Sequence, residues 1–490
     1  MGNIKNDSKN YVEYSVVKDD IKTDIEQDYD KAPGFGKRHI QVLLYFLFLF
    51  IGYGFRVNLS VAIVAMTDPK ASINPDVPTY PQWTQKGAIL SAFFWGYIWP
   101  QILAGYMASR FGGKWFLTIF FGIQSVIGFC TPFIAARFGE IGMMVMRTCQ
   151  GLCQGFLFPT ITHLLSQWVP HEERARMANY AFSSVPFGTV IGILLTGIIS
   201  ESRYGWPMVY YIYGISGIFI VISFIIFGYN SPADHPKISE SERNFIEKSL
   251  GHTNEKSSHK VPWKSIFTSK PVFALLCVQC GFIFGFWVLL SQIPTFMKHV
   301  LNFNIKSNSI LSCLPYFMLF LFGFPLAFLS DYITNNGYIS QTNSRKLFNF
   351  LGLFLPSIAL VMVGYVRPDQ ATKAVWLLIL AVSLGSLTNC GWAVNHMDLS
   401  PNFAGPLMGI CNGAANIMAI FAPLSVQFLV KDIQDPRQWR IIFYIAATIQ
   451  ILAGIIFQIW GSAEVQPWNE PDKSKRDSKN EENIKLKNKQ

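Results

Sequence analysis

Apolar stretches long enough to cross a lipid bilayer recur along the whole chain, separated by charged or proline-rich turns. They run over roughly 40–66, 88–108, 115–135, 141–168, 177–199, 206–228, 271–292, 308–330, 347–366, 374–394, 405–430 and 440–461. A helix needs about 20 apolar residues to cross ~30 Å of hydrocarbon. Lipid offers the backbone no hydrogen-bond partner, so segments of this kind must be helical. The expected fold class is an all-α polytopic membrane protein with twelve transmembrane helices. The composition agrees: 14% of the 490 residues are charged, against about 25% in soluble domains.

Residues 229–270 are the longest interior polar stretch and read as a linker between two six-helix halves, 37–228 and 271–461. Ser239 and Glu242 have the spacing of a capping box, which places a surface helix in that linker. The halves look related. Trp206-Pro-Met-Val-Tyr-Tyr-Ile212 opens the sixth segment and Trp439-Arg-Ile-Ile-Phe-Tyr-Ile445 opens the twelfth. Two parallel six-helix halves are a transporter pattern. Residues 1–36 and 462–490 are polar and read as disordered tails. With both termini on the cytoplasmic side, most of the 40 Lys and Arg fall in the tails and interior loops, as the positive-inside rule requires.

Several function classes are disfavoured. The formal charge of +10 sits in loops and tails between spans, which is no nucleic-acid signature. All eight cysteines lie in apolar segments, so none staples an ectodomain, and Cys277-x-x-Cys280 reads as packing rather than a metal site. Residues 1–39 are polar and the first apolar run is too long for a cleavable signal peptide. Asn58-Leu59-Ser60 is a glycosylation sequon at membrane depth, where it goes unused. No His-Glu-x-x-His, Ser/His/Asp set or phosphate loop is present, so an enzyme is not expected.

Two arginines carry the chemistry. Arg147, Gln150 and Gln154 are spaced i, i+3, i+7 in the fourth segment and form one polar stripe on a helix. Arg56 lies in the middle of the first. An arginine at membrane depth costs about 2.5–3.5 kcal/mol on insertion scales, and deprotonation cannot relieve it. Each must face protein or water: either a cavity or the carbonyls of a neighbouring helix. Asp331, Asp398 and Glu140 sit at helix ends, so no carboxylate is expected at the arginines' depth. Two cations without a counter-ion favour an anion, and guanidinium forks fit phosphate or carboxylate. Gln150 and Gln154 can donate to an anion but carry no proton. Tyr53, Tyr97, Tyr180 and Asn412 are further candidates for the cavity wall. Tyrosines also serve in interface belts. Asn389, Asn395, Asn412 and Asn416 could hold sodium or bond helix to helix. His163 is either a buried histidine or a proton relay.

The sequence resembles the anion:cation symporter family (solute carrier 17) of the major facilitator superfamily. That family includes type I sodium–phosphate cotransporters, the lysosomal sialic acid exporter and vesicular glutamate transporters. The likeness spans roughly 40–469 and rests on Arg56-Val-Asn-Leu-Ser-Val-Ala, Phe93-Phe-Trp-Gly-Tyr97, Gly105-Tyr-Met-Ala-Ser-Arg-Phe-Gly-Gly-Lys114 and Asn395-His-Met-Asp-Leu-Ser-Pro-Asn-Phe-Ala-Gly405. The resemblance implies that Arg56 and Arg147 are substrate-site arginines and that Tyr53 and Tyr97 line the cavity. It implies a cytoplasmic gating motif over Gly105, Ser109, Arg110, Gly112 and Lys114, with Asp331 and Arg345 at the matching place in the second half. Ser109 replaces the motif's usual aspartate, which Asp331 keeps. Gln150 and Gln154 stand where the sialic acid exporter has two glutamates; the glutamate transporters keep one, at Gln154. The family histidine of this span falls at Thr162, and Phe282 takes the place of an arginine of the glutamate transporters. The Gln/Gln pair is similar to the type I phosphate and organic-anion branch.

The expectation is therefore secondary active transport of a small anion, inorganic phosphate or an organic carboxylate, sodium-coupled or voltage-driven, by alternating access. The alternatives are proton-coupled export of an acidic sugar from lysosomes and a non-transporting sensor on the same fold. No cofactor is expected beyond sodium as a candidate coupling ion. The expected partners are the anion and the lipid bilayer, with no nucleic acid. The expected state is a monomer in the plasma membrane.

Overall fold

The computed structural model describes residues 34–67, 74–250, 261–299, 305–367, 370–432 and 434–469. The expectations for 1–33, 251–260 and 470–490 lie outside the described residues. Among the described residues, eighteen α-helices follow in order. The first half holds α1 (Lys37–Thr67), α2 (Lys86–Tyr97), α3 (Pro100–Phe111), α4 (Lys114–Phe129), α5 (Thr131–Gln154), α6 (Leu157–Trp168), α7 (Arg174–Phe182), α8 (Ser184–Glu201) and α9 (Gly205–Phe227). Then come α10 (Glu240–Leu250) and α11 (Trp263–Thr268). The second half holds α12 (Lys270–His299), α13 (Ile305–Asn335), α14 (Gln341–Val363), α15 (Ala371–Leu384), α16 (Trp392–Leu399), α17 (Ala404–Leu429) and α18 (Pro436–Trp460).

Three spans are broken for one reason. Pro100, Pro159 and Pro186 lack the N–H that would bond the carbonyl four residues earlier. The chain accordingly interrupts between α2 and α3, α5 and α6, and α7 and α8. Among the described residues, ten helices or broken helix pairs are long and apolar enough to cross a membrane. The remainder is the stretch Lys114–Trp168, which bends by 80°. Hydrogen bonds from Cys130 N to Val126 O and from Ile134 N to Cys130 O, both 3.0 Å, carry helix past Cys130. The helical path breaks instead at Gly139, at φ 57° and ψ −145°, a conformation that glycine tolerates best. Taking Gly139 as the reversal divides this stretch into a third and a fourth span and completes twelve.

The two halves repeat one packing scheme. Span one packs on five and six, two on four, and three on six. In the second half, seven packs on eleven and twelve, eight on ten, and nine on twelve. Trp206 and Trp439, which suggested the repeat, are both buried at the starts of their helices. Large apolar side chains such as Phe219 and Phe428 stay exposed on the outer surface, where lipid would cover them. Contacts between the halves run through α3 and α6 against α17, α7 and α8 against α13, and α6 and α7 against α16.

The linker is more structured than its polarity suggests. Ser239 Oγ accepts from Glu242 N at 3.3 Å, one half of the expected capping box. The Glu242 carboxylate does not return to that helix. It accepts from Lys37 N (2.9 Å) and Arg38 N (3.0 Å), capping α1 instead. Phe245, Ile246 and Leu250 of α10 pack on Trp168. Residues 462–469, expected to belong to a disordered tail, are ordered. Asn469 Oδ1 accepts from Ser400 Oγ at 2.6 Å and from Asn402 N at 3.1 Å, so the chain is docked through residue 469. Both described chain ends and the linker therefore share one face, called here the terminal face.

Candidate anion site between the halves

Arg56 projects from α1 about 28 Å along the helix axis from Lys37, at 1.5 Å per residue. Its guanidinium carbon lies 4.8 Å from the Tyr97 ring centroid, 4.9 Å from Phe94, 5.2 Å from Phe93, 5.4 Å from Trp287 and 5.5 Å from Tyr53. Trp287 comes from α12 of the second half and the other rings from the first, so the cage straddles the interface. Cation–π attraction in such desolvated settings reaches about 2 kcal/mol or more. It does not satisfy N–H groups. Nη1 reaches the Tyr53 hydroxyl at 3.5 Å, whereas Nε and Nη2 are buried without a partner.

Arg147 is placed differently. Its Nη1 donates to Phe55 O (3.1 Å) and Gln150 Oε1 (3.2 Å), and its Nη2 donates to Arg56 O (3.1 Å). Gln154 Nε2 donates to Gly52 O, leaving its Oε1 unpaired. The polar stripe thus clamps the backbone of α1. Of the two options open for a buried arginine, bonding a neighbour's carbonyls describes most of Arg147. Its guanidinium carbon also lies 5.0 Å from the Phe93 ring, so both arginines share that ring. A close approach makes this possible: a side-chain carbon on Gly151 would strike Phe93 O, and one on Gly96 would strike Thr148 O. Among the described residues neither arginine makes an ion pair.

The remaining candidates divide. Asn412 joins the site, its Nδ2 donating to the Tyr97 hydroxyl (3.2 Å) and to Gln101 Oε1 (3.0 Å). Tyr180 does not join the cage: it is 42% exposed and its ring partner is Phe324 of α13. Asn389 bonds Asn179, Asn395 bonds Ser462 O, and Asn416 bonds Asn412 O, all helix-to-helix or local links. His163 is buried with Nδ1 unpaired, and its Cβ packs beside Gly405.

The gating candidates are likewise not one cluster. Arg110 is exposed and bonds the Tyr106 hydroxyl, and Ser109 bonds its own helix at Tyr106 O. Lys114 Nζ donates to Ile225 O, and Gly112, at φ 86°, turns the chain between α3 and α4. Gly105 packs against the Gly405 backbone of α17. Asp331 accepts from Ala175 N (3.1 Å) and Arg176 N (2.9 Å) and pairs with Arg176 Nε (3.3 Å), capping α7 across the halves. Arg345 lies within α14, not in a turn, and it is buried. It pairs with Asp398 at 2.7 Å, and Arg174 pairs with the same carboxylate at 2.8 Å. Arg56 and Arg147 are therefore not the only charges buried in spans. On the same face Arg38 ties the first half to the linker, meeting Glu173 at 2.7 Å and Glu242 at 3.1 Å. Reading the sequence missed Phe94 as a cage ring, Trp287, Gln101, Gln279 and the Asp398 pairs. The Phe93-Phe94 run and the Asp398 motif were visible signals; Trp287 had none.

The chain matches known proteins over most of its length. The family model described as Major Facilitator Superfamily matches residues 42–423. A Drosophila melanogaster protein named "Putative inorganic phosphate cotransporter" is 35% identical over 463 residues, covering 89% of this chain and 87% of that one. Sialin of Homo sapiens is 33% identical, covering 93% of this chain and 98% of its own. Among solved structures, the proton:xylose symporter XylE superposes with a TM-score of 0.66 at 15% identity, over 86% of this chain and 96% of that one.

Proposed function

Because this chain belongs to the Major Facilitator Superfamily, and within it to the anion:cation symporters of the solute carrier 17 family, we propose that it is a secondary active transporter of a small anion. The family is one of membrane transporters rather than enzymes. The observation that carries the reading is Arg56, a buried cation with two unpartnered N–H-bearing nitrogens in an aromatic cage between the halves. A bound anion would supply the missing acceptors and the missing charge. A phosphate or carboxylate presents two oxygens to such a fork. Relatives named as an inorganic phosphate cotransporter in Drosophila melanogaster and a vesicular glutamate transporter in Danio rerio support inorganic phosphate or an organic carboxylate as cargo.

Alternating access follows from two halves meeting around one site. The cross-half ion pairs of Asp331 with Arg176 and of Asp398 with Arg174 hold the terminal face shut in this conformation. Reopening it requires Asp398 to give up Arg174 of the first half, while Arg345, in the same half as Asp398, can keep its pair. Coupling to sodium or to the membrane potential suits the site better than coupling to protons, because the fourth span offers Gln150 and Gln154, which do not titrate. We place the protein in the plasma membrane as a monomer, with the terminal face cytoplasmic. Inorganic phosphate and benzoate should each raise the melting temperature of the purified protein in detergent, and Arg56→Ala should erase the shift. An equal shift in wild type and variant would remove Arg56 from the site.

A further inference from the structure

His396 plays no part in the site so far, yet it is fully buried, and its Nε2 stands 3.2 Å from Gln279 Oε1. Gln279 Nε2 reaches Asn412 Oδ1 at 3.4 Å. Asn412 Nδ2 continues to the Tyr97 hydroxyl at 3.2 Å, and the Tyr97 ring is the closest face of the Arg56 cage. Four side chains on α16, α12, α17 and α2 thus form one buried polar chain from the second half into the first. In a low-dielectric interior such a chain is stabilising while complete and costly when one link is lost. His396 shares α16 with Asp398. Two residues apart, they point about 200° from each other round the helix. One faces the chain, and the other holds Arg174 and Arg345.

We propose that His396 is a positioning residue for the anion site. Through Gln279 and Asn412 it fixes the Tyr97 hydroxyl beside Arg56 and ties it to the short helix whose Asp398 latches the terminal face. The inference rests on the reading of Arg56 as an anion anchor. With Asn412 donating to the Tyr97 oxygen, the hydroxyl's own proton is free for an anion at Arg56. An anion that shifts Tyr97 pulls through the chain on α16, so occupancy of the site and the strength of the latch are coupled.

The test is a double-mutant cycle on uptake of radiolabelled inorganic phosphate into proteoliposomes, with His396→Phe, Tyr97→Phe and the pair. His396→Phe should raise the half-saturating concentration about tenfold, the worth of one buried hydrogen bond. His396→Gln, which keeps a partner for Gln279, should recover most of that loss. In the Tyr97→Phe background His396→Phe should add less than about twofold, since its effect passes through the missing hydroxyl. Gln279→Met, which cuts the next link, should behave as His396→Phe does and serves where that variant fails to fold. Full additivity with Tyr97→Phe would overturn the proposal and leave His396 a packing residue. If wild-type protein moves no phosphate and no benzoate, the anion reading falls and this proposal with it. If wild type transports and the cycle is additive, only this proposal falls.

Discussion

The two intramembrane arginines look alike in the sequence and do different work in the structure. Arg56 keeps Nε and Nη2 unpaired within five rings, whereas Arg147 spends two nitrogens on the carbonyls of Phe55 and Arg56. Arg56→Lys keeps the charge but loses the planar fork, so anion affinity should fall about tenfold or more; a direct binding titration measures it. Arg147→Ala should lower the melting temperature as well as flux, because it removes charged hydrogen bonds worth roughly 1.5–3 kcal/mol each. Gln154→Glu places a carboxylate near Arg147 in place of the donor that now holds Gly52 O. That cation favours the ionised form, which competes with the substrate. Uptake should weaken at neutral pH and recover partly in acid as the new group protonates. The check is uptake of a substrate of constant charge, at clamped potential, from about pH 5 to pH 8; the native protein should show no such recovery. Buried arginines were legible because their surroundings are apolar. Trp287 was not, since an aromatic residue in a spanning helix looks the same whether it faces lipid or a cavity.

Among the elements, α16 and α10 do the most for their length. Asp398 of α16 pairs with one arginine from each half, Arg174 and Arg345. Asp398→Asn leaves two guanidinium groups buried without charge compensation, at about 3–5 kcal/mol. The terminal face should open, and the buried thiols of Cys390 and Cys411 should react with maleimide at least about tenfold faster. Unchanged labelling would mean that Asp398 stabilises one half rather than the closure. The twelve spans were legible because length and apolarity alone define them. The links between them were not. His396 and Gln279 are 117 positions apart, Asn412 and Tyr97 are 315 apart, and no local pattern marks either pair. The capping box in the linker was legible, but the reach of Glu242 to the start of α1 was not, because Arg38 lies 204 positions away.

At the scale of the whole molecule, two similar six-helix halves meet around Arg56, a cation with no ion pair among the described residues, and are fastened at one face by ion pairs. Closure at one face and an anion-seeking centre are the two parts that alternating access needs. The most direct test is flux. Purified protein in proteoliposomes should take up inorganic phosphate or a small organic carboxylate, with sodium gradient, pH gradient and membrane potential imposed separately. The account predicts uptake driven by sodium or by potential, indifferent to an imposed pH gradient, and abolished by Arg56→Ala in protein that inserts and melts normally. Uptake that needs a proton gradient, or that survives Arg56→Ala, would contradict it.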